Sequence, residues 1–333
     1  MTRIPVPGEL IRFIKSGKKF FVIGHKDPDG DCVGSQLALC SALRRLGKEA
    51  AACSQGPFNR PEISRYAPLL SSSFDEKEKN ADIKIIIVDC SEVERVGDLR
   101  QLIEGLPMAV IDHHATADHA PSVQGPVYID PSSPSCTILV GAVIEELGLT
   151  ITKEEAELLF FGLCTDTGFF RYLDEEKGAY AFEAAVKLTN AGANPKNTFM
   201  TVNGGKSFNS RVLLGNILSR AQTFFDGRLI LGYETLEETE RLGKEGRDSD
   251  SLYQLLQSVT GIEAIVIIRQ ETAENCTVGF RSIDKIDVSA IAACFGGGGH
   301  KNAAGLSIKG SISDIKPKIM EAFAKVFSPG NAG

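Results

Sequence analysis

The chain has 333 residues, 43% hydrophobic and 24% charged, with a net charge of −7 and no tryptophan. That length supports two domains, each with its own core, and the acidic balance argues against a protein that tracks long duplex DNA through a broad basic face. The opening MTRIPVPGELIRFIKSGKK lacks the apolar core of a signal peptide, and no stretch approaches the roughly 18 apolar residues of a membrane span, so a cytoplasmic protein with no membrane partner is expected.

KKFFVIG (18–24) is a continuous apolar run, the pattern of a buried parallel strand. It runs into HKDPDGD (25–31), and DCVGSQLALCSALRRLG (31–47) follows with Leu37, Cys40, Leu43 and Leu46 at helical spacing, closed by Gly47. AAC (51–53) gives a short strand, and DIKIIIVD (82–89) and MAVID (108–112) give two more. Helical patterns cover 135–147, 153–163 and 178–191. Strands alternating with helices predict an α/β fold with a doubly wound, mainly parallel sheet. Residues 192–208 mix Gly, Asn, Pro and Ser without a sustained period and read as a linker. It joins an N-terminal domain, 1–191, to a smaller C-terminal α/β domain, 209–333. In the latter, 210–224 looks helical, and RLILGYE (228–234), AIVIIRQ (264–270) and TVGFRS (277–282) look like strands. A short helix near 288–294, a glycine run and a last helix near 313–327 complete it. The cysteines form no CxxC pair; Cys32, Cys40, Cys90, Cys164 and Cys294 fall in apolar or helical patterns and read as reduced packing residues.

In open α/β sheets, ligands gather beyond the carboxyl ends of the strands. Here the first strand runs into His25, Asp29 and Asp31, the run 82–89 ends in Asp89, and MAVID leads to Asp112, His113 and His114. FFGLCTDTGFFRY (160–172) adds Asp166 between two threonines, where an apolar helix is expected to stop. Taken singly, each aspartate reads as a cap or turn former and each histidine as an ordinary solvated residue. Their concentration changes that. Of five histidines, His25, His113, His114 and His300 fall in these stretches or beside the glycine run, and only His119 is left for the surface.

If Asp29, Asp31, Asp89 and Asp166 converge, they cannot all remain ionised without counter-ions. Two divalent cations would cancel the charge, with His25 and His113 as neutral nitrogen ligands. Mixed Asp and His ligation suits Mn²⁺, or less specifically Fe, Co or Zn. Two such ions about 3.5–4 Å apart clamp both oxygens of an in-line displacement at phosphorus.

HKDPDGDCVGS, VDCS, IDHH and CTDTG resemble, in order, the four signature motifs of the DHH phosphoesterases. GFRSIDKIDVSAIAACFGGGGHKNAAG resembles the substrate-binding segment of the DHHA1 domain that accompanies them. The likeness covers nearly the whole chain. Length and domain pairing are similar to the bifunctional oligoribonucleases and pAp phosphatases, where pAp is adenosine 3′,5′-bisphosphate. The resemblance implies that His25, Asp29 and Asp89 hold one metal ion and that Asp31, Asp89, His113 and Asp166 hold the other, with Asp89 as the bridge. It implies that His114 contacts the scissile phosphoryl group and that Asp112 orients the histidines. Asp27 departs from the family pattern and is assigned no ligand role.

Read by itself, the run Gly296–Gly299 is either a flexible linker or a backbone cradle for phosphate entering a helix. The resemblance implies a pocket for a terminal phosphate and nucleoside built from Arg281, Ser282, Gly297, Gly298, Gly299 and His300. The expected partners are therefore short RNA oligonucleotides and nucleotides such as pAp, and a homodimer is compatible with this reading. The expected activity is manganese-dependent hydrolysis of both substrates. The alternative is a phosphodiesterase acting on cyclic dinucleotides or linear pApA, and a pyrophosphatase or polyphosphatase is a third option.

Overall fold

In the computed structural model, which describes residues 3–74, 82–114, 124–283 and 285–327, the chain divides into two units, Met1–Gly204 and Gly205–Gly333. The first unit opens with α1 (Gly8–Ser16), which buries Leu10, Ile11 and Ile14 at i, i+1 and i+4. The apolar run that follows becomes β1 (Lys19–Ile23), and α2 (Gly30–Arg45) and β2 (Glu49–Cys53) continue it. Next come α3 (Pro61–Ser64), β3 (Leu70–Ser71), β4 (Ile83–Val88), α4 (Leu99–Ile103), β5 (Met108–Asp112) and β6 (Val127–Ile129). Four helices close the unit: α5 (Cys136–Glu146), α6 (Lys153–Asp166), α7 (Glu175–Asn190) and α8 (Pro195–Asn203).

The six strands form one sheet in the order β3-β2-β1-β4-β5-β6, parallel at every pairing. Alternation along the strands gives the sheet two apolar faces. Phe20, Val22, Ile86 and Val88 pack beneath α1, α2, α5 and α6, while Phe21, Ile23, Ile85 and Ile87 face Val96, Leu99 and Ile103. From β1 the chain builds outward to β3, then returns to β4 and builds the other way. The strand order therefore reverses between β1 and β4, where such sheets open a crevice at their carboxyl ends.

The second unit contains α9 (Phe208–Arg220), β7 (Gln222–Phe224), β8 (Leu229–Glu234), α10 (Leu236–Leu242) and α11 (Ser249–Gln257). Then come β9 (Ala264–Thr272), β10 (Asn275–Ser282), α12 (Val288–Ala293), β11 (Gly298–His300), β12 (Ala303–Lys309) and α13 (Ile312–Phe327). Its mixed sheet has the order β11-β12-β10-β9-β8-β7, with only β8 and β9 parallel. The spacing of Ile315, Ile319, Phe323 and Phe327 lays one stripe of α13 onto that sheet.

The structure corrects several expectations. Much of the stretch read as a linker is α8: Asn194 caps it by accepting from the Asn197 N–H, and Pro195 opens its first turn. Thr198 is its one buried residue, so no apolar period betrays it. The expected helix 210–224 stops at Arg220, and its last three residues join β7. The expected helix 153–163 runs on to Asp166. The glycine run enters no helix. Gly296, at φ 78°, ends α12, with the N–H groups of Gly296 and Gly297 bonded to the carbonyls of Ala293 and Ala292. Gly298–His300 then pairs antiparallel with β12.

Cys294 is exposed; the other seven cysteines are buried. His119 lies outside the described residues. Among the described residues no helix is long and apolar enough to cross a membrane.

Candidate metal centre

The turn after β1 is held by its own acids. Asp29 caps α2, its Oδ1 accepting from the N–H groups of Asp31 and Cys32 at 3.1 Å each. That cap fixes the first turn of α2 and aims Asp31 inward, where it is fully buried. Asp31 meets the amino end of α5: Oδ2 accepts from the Cys136 N–H at 2.6 Å and Oδ1 from the Thr137 N–H at 3.0 Å. Ser135, which precedes α5, makes no capping bond with its side chain, so Asp31 serves that helix end from 105 residues away.

Asp89 follows β4 at φ 62°, a left-handed conformation that few non-glycine residues adopt. The kink turns its carboxylate into the crevice. Nε2 of His113 lies 3.7 Å from Asp31 Oδ2, 3.5 Å from Asp89 Oδ1 and 3.6 Å from Asp166 Oδ2. One ring nitrogen thus faces three carboxylates from three segments. His25 Nε2 lies 3.5 Å from the other Asp89 oxygen. Both rings are oriented from behind, His113 by Nδ1 against the Ser133 carbonyl at 3.3 Å and His25 by Nδ1 against the Lys26 carbonyl at 2.9 Å. Asp112 is the buried last residue of β5, just before the two histidines. Its Oδ1 accepts from the backbone N–H groups of His113 and His114 and from His114 Nδ1 at 2.8 Å.

The electrostatics are those of crowded acids. Burial, then the charge of Asp89, raises Asp31 well above the usual carboxylate range, against the pull of His113. Burial lifts Asp166 to about 6, opposed by His113 and reinforced by Asp89 and Asp29. Burial alone would raise Asp89 too, but the imidazoles of His113 and His25 beside it pull it down to about 2. Burial alone would lower His113, yet the Asp89 carboxylate 3.5 Å away and the charges of Asp31 and Asp166 raise it to about 10.

Ligand-type atoms of Asp31, His113 and Asp166 lie within 4.8 Å of one another, as do those of Asp89, His113 and His114 and those of His25, Cys32 and Asp89. Asp89 Oδ1 is buried with no hydrogen-bond partner. A buried carboxylate oxygen without a donor is costly, and a cation bound among these oxygens and imidazole nitrogens satisfies it. The donor set fits a divalent metal.

Five of the six expected ligands, His25, Asp31, Asp89, His113 and Asp166, enter these groups. Asp29 does not; its Oδ1 caps α2, and its charge still acts on His25, Asp31 and Asp166. Cys32 takes its place beside His25, but burial holds that thiol protonated, and it acts as a wall. The Ser133 carbonyl and the α5 N–H groups carry no sequence signal, since main-chain direction is not written in residue type.

In the second unit, strand alternation puts Arg281 and Ser282 on opposite faces of β10. The Arg281 guanidinium lies 4.5 Å from the Tyr253 ring centroid and donates to the Phe280 carbonyl. Ser282 is buried, its hydroxyl set against the Lys301 carbonyl and Asn302 Oδ1, so it anchors the β11–β12 turn. Gly297 has no room for a Cβ, which would come within 2.5 Å of the Gly305 carbonyl, and its N–H is engaged by Ala292. Gly298, Gly299 and His300 are exposed on an edge strand.

Comparison with known proteins agrees with this layout. The model of the DHH family, N-terminal domain, matches residues 19–163, and that of the DHHA1 domain matches residues 233–328. Over 313 residues the chain is 30% identical to the bifunctional oligoribonuclease and PAP phosphatase NrnA of Thermus thermophilus, covering 91% of this chain and 88% of that one. It is 23% identical to the cyclic-di-AMP phosphodiesterase PdeA of Listeria monocytogenes, over 95% of this chain and 48% of that protein. An exopolyphosphatase-related protein of Bacteroides fragilis shares the fold, with a TM-score of 0.75 at 22% identity and 98% of each chain covered. The chain belongs to the DHH family of phosphoesterases and carries a DHHA1 domain.

Proposed function

We propose that this chain hydrolyses the phosphate ester on the 3′ oxygen of 5′-phosphorylated nucleotides. On short oligoribonucleotides it releases mononucleotides, and on pAp it yields AMP and phosphate. In both substrates water adds to phosphorus and the bond to the 3′ oxygen breaks; only the group beyond phosphorus differs. The observation that carries the reading is the gathering of His25, Asp31, Asp89, His113 and Asp166 in overlapping groups at the carboxyl end of the sheet, with Asp89 Oδ1 buried and undonated. The likeness to the T. thermophilus oligoribonuclease and PAP phosphatase over most of both chains supports the substrate class.

His25, Asp29 and Asp89 would hold one divalent cation, and Asp31, Asp89, His113 and Asp166 a second, with Mn²⁺ the best match to mixed nitrogen and oxygen donors. Bound there, such cations neutralise charge on the phosphoryl oxygens and make water a better nucleophile. The protein's own groups set the rest. The α5 N–H groups hold both oxygens of Asp31 in place, so it needs no reorganisation on binding. Asp112 binds His114 through Nδ1, which leaves Nε2 of a ring 45% exposed to face a phosphoryl oxygen. Arg281, stacked on Tyr253, and the exposed edge strand ending in His300 would take the 5′-phosphorylated end.

The test is a substrate panel in Mn²⁺ with product analysis: pAp, 5′-phosphorylated RNA of two to about five nucleotides, longer RNA, cyclic di-AMP and pyrophosphate. Turnover of pAp and the short RNAs to 5′ mononucleotides is expected. Preference for cyclic di-AMP would favour the second reading, which the Listeria likeness supports. Preference for pyrophosphate would overturn both.

A further inference from the structure

The turn beyond Asp166 holds an aromatic ring that hydrolysis itself does not use. Gly168, Phe169 and Phe170 all adopt left-handed backbone, at φ 55°, 55° and 69°. Two consecutive phenylalanines rarely do so unless the surroundings enforce it. Here they are enforced: Phe169 meets Phe199 edge-on, Phe170 stacks on Phe182 at 5.1 Å, and the Phe170 N–H bonds to Thr167 Oγ1. The turn folds the chain back so that the Tyr172 N–H bonds to the carbonyl of Thr167, the neighbour of Asp166. Tyr172 lies against Gly168, where a Cβ would come within 2.3 Å of its ring. The residue is nevertheless 67% exposed, with the Arg171 guanidinium 5.5 Å from the ring centroid.

An exposed tyrosine alone is ordinary. One propped on glycine by a locked turn, with a cation beside it and a phosphoester site next in sequence, has the parts of a base-stacking platform. The chain has no tryptophan to serve instead. Under the reading above the 5′-phosphorylated end falls to Arg281 and the β11 edge, and an aromatic ring on the turn that follows Asp166 suits the nucleotide on the other side of phosphorus. We propose that Tyr172, with Arg171 beside it, stacks the base of the nucleotide that follows the scissile phosphate and keeps it as its 5′ phosphate. The inference rests on the reading above. It has a consequence peculiar to that reading: pAp has no base on that side, so Tyr172 distinguishes oligonucleotide from pAp.

The experiment compares wild type, Tyr172→Ala and Tyr172→Phe on pAp and on pApA. Tyr172→Ala should lose about tenfold or more in kcat/KM on pApA, the scale of one base–aromatic stack, and stay within about twofold on pAp. Tyr172→Phe should keep both activities. Equal effects on the two substrates, or none on pApA, would overturn the proposal and leave the hydrolase reading standing. Binding is read separately with a 5′-phosphorylated dinucleotide carrying 2-aminopurine as its second base, in chelator so that nothing is cut. Quenching by wild type and Tyr172→Phe but not by Tyr172→Ala supports the stack even if wild type cleaves neither substrate. Quenching that is the same in all three proteins, or absent from all three, refutes it.

Discussion

Both units bury carboxylates, and the crevice of the first compensates its acids in the opposite way to the second. In the second unit Glu234 is fully buried, with Arg247 Nη2 at 2.7 Å and Arg269 Nε at 3.4 Å. Glu271 takes Arg247 Nη1 at 2.9 Å, Lys244 at 2.8 Å and the Thr277 hydroxyl at 2.7 Å. Burial alone would raise Glu271, but those partners hold it at about 2. In the first unit the ion-pair partners of Asp31, Asp89 and Asp112 are imidazoles, whose own charge depends on pH, and Asp89 Oδ1 has no donor. A network neutralised by guanidinium is balanced in charge whatever the pH and serves structure, even though Arg269 Nε and Glu271 Oε2 lack a hydrogen-bond partner. One left to histidines takes its positive charge from a bound proton or a cation, which is how a cation site differs from a buried salt bridge.

The sharpest way to break that contrast is at Asp89. Asp89→Ala should lower turnover of pAp in Mn²⁺ by about four orders of magnitude or more, while circular dichroism stays that of wild type. It should also abolish the rise in Tm that Mn²⁺ gives wild type by binding the folded state. Turnover within tenfold of wild type would remove Asp89 from the centre. The mirror experiment is Arg247→Ala, which leaves Glu234 and Glu271 short of their shared guanidinium. Urea melts should show a loss of about 3–5 kcal/mol, the cost of stranding a buried charge. Folded Arg247→Ala should hydrolyse pAp at nearly the wild-type rate. A large loss of kcat with unchanged stability would mean that the second network is catalytic as well.

How far each region was legible in the sequence follows the same divide. Asp89, Asp112 and His113 end apolar strand runs, and strand ends in an α/β sheet share one rim, so their convergence could be anticipated from pattern. The partition between ligand and scaffold could not. Asp29 and Asp31 are two residues apart in one turn, yet one caps its own helix and the other caps the neighbouring α5. The glycine run misled for a related reason: glycine permits both a phosphate cradle and a helix stop, and Gly296 and Gly297 serve as the stop. α8 escaped notice because a short helix with one buried residue has no period to read.

A smaller effect is expected behind the histidines. Asp112→Asn preserves shape but weakens the acceptor that fixes two backbone N–H groups and His114 Nδ1. Substitutions that disturb such supporting carboxylates cost about 10–100-fold. The loss should fall on kcat, with the fold unchanged. A loss confined to KM would place Asp112 in substrate binding instead.

The smallest effect, and the most direct reading of the contrast, is the pH dependence of the chelated protein. His113 is raised to about 10 in the folded state, above its ordinary 6.5. Its contribution to stability is therefore complete below about pH 6.5 and is lost as pH rises through 10. Asp166, raised to about 6 from 3.8, acts with the same sign at lower pH, since the unfolded chain releases that proton first. In chelator, Tm should fall by a few degrees between pH 6.5 and 9, and His113→Asn should flatten that fall. Mn²⁺ should reverse the trend in wild type, because the ligand nitrogen must give up its proton to bind. Glu271, held at about 2, adds no slope in this window. A chelated wild type whose Tm does not change from pH 6.5 to 9 would mean that the three carboxylates around His113 do not hold its proton, and the charge imbalance separating the two units would be gone.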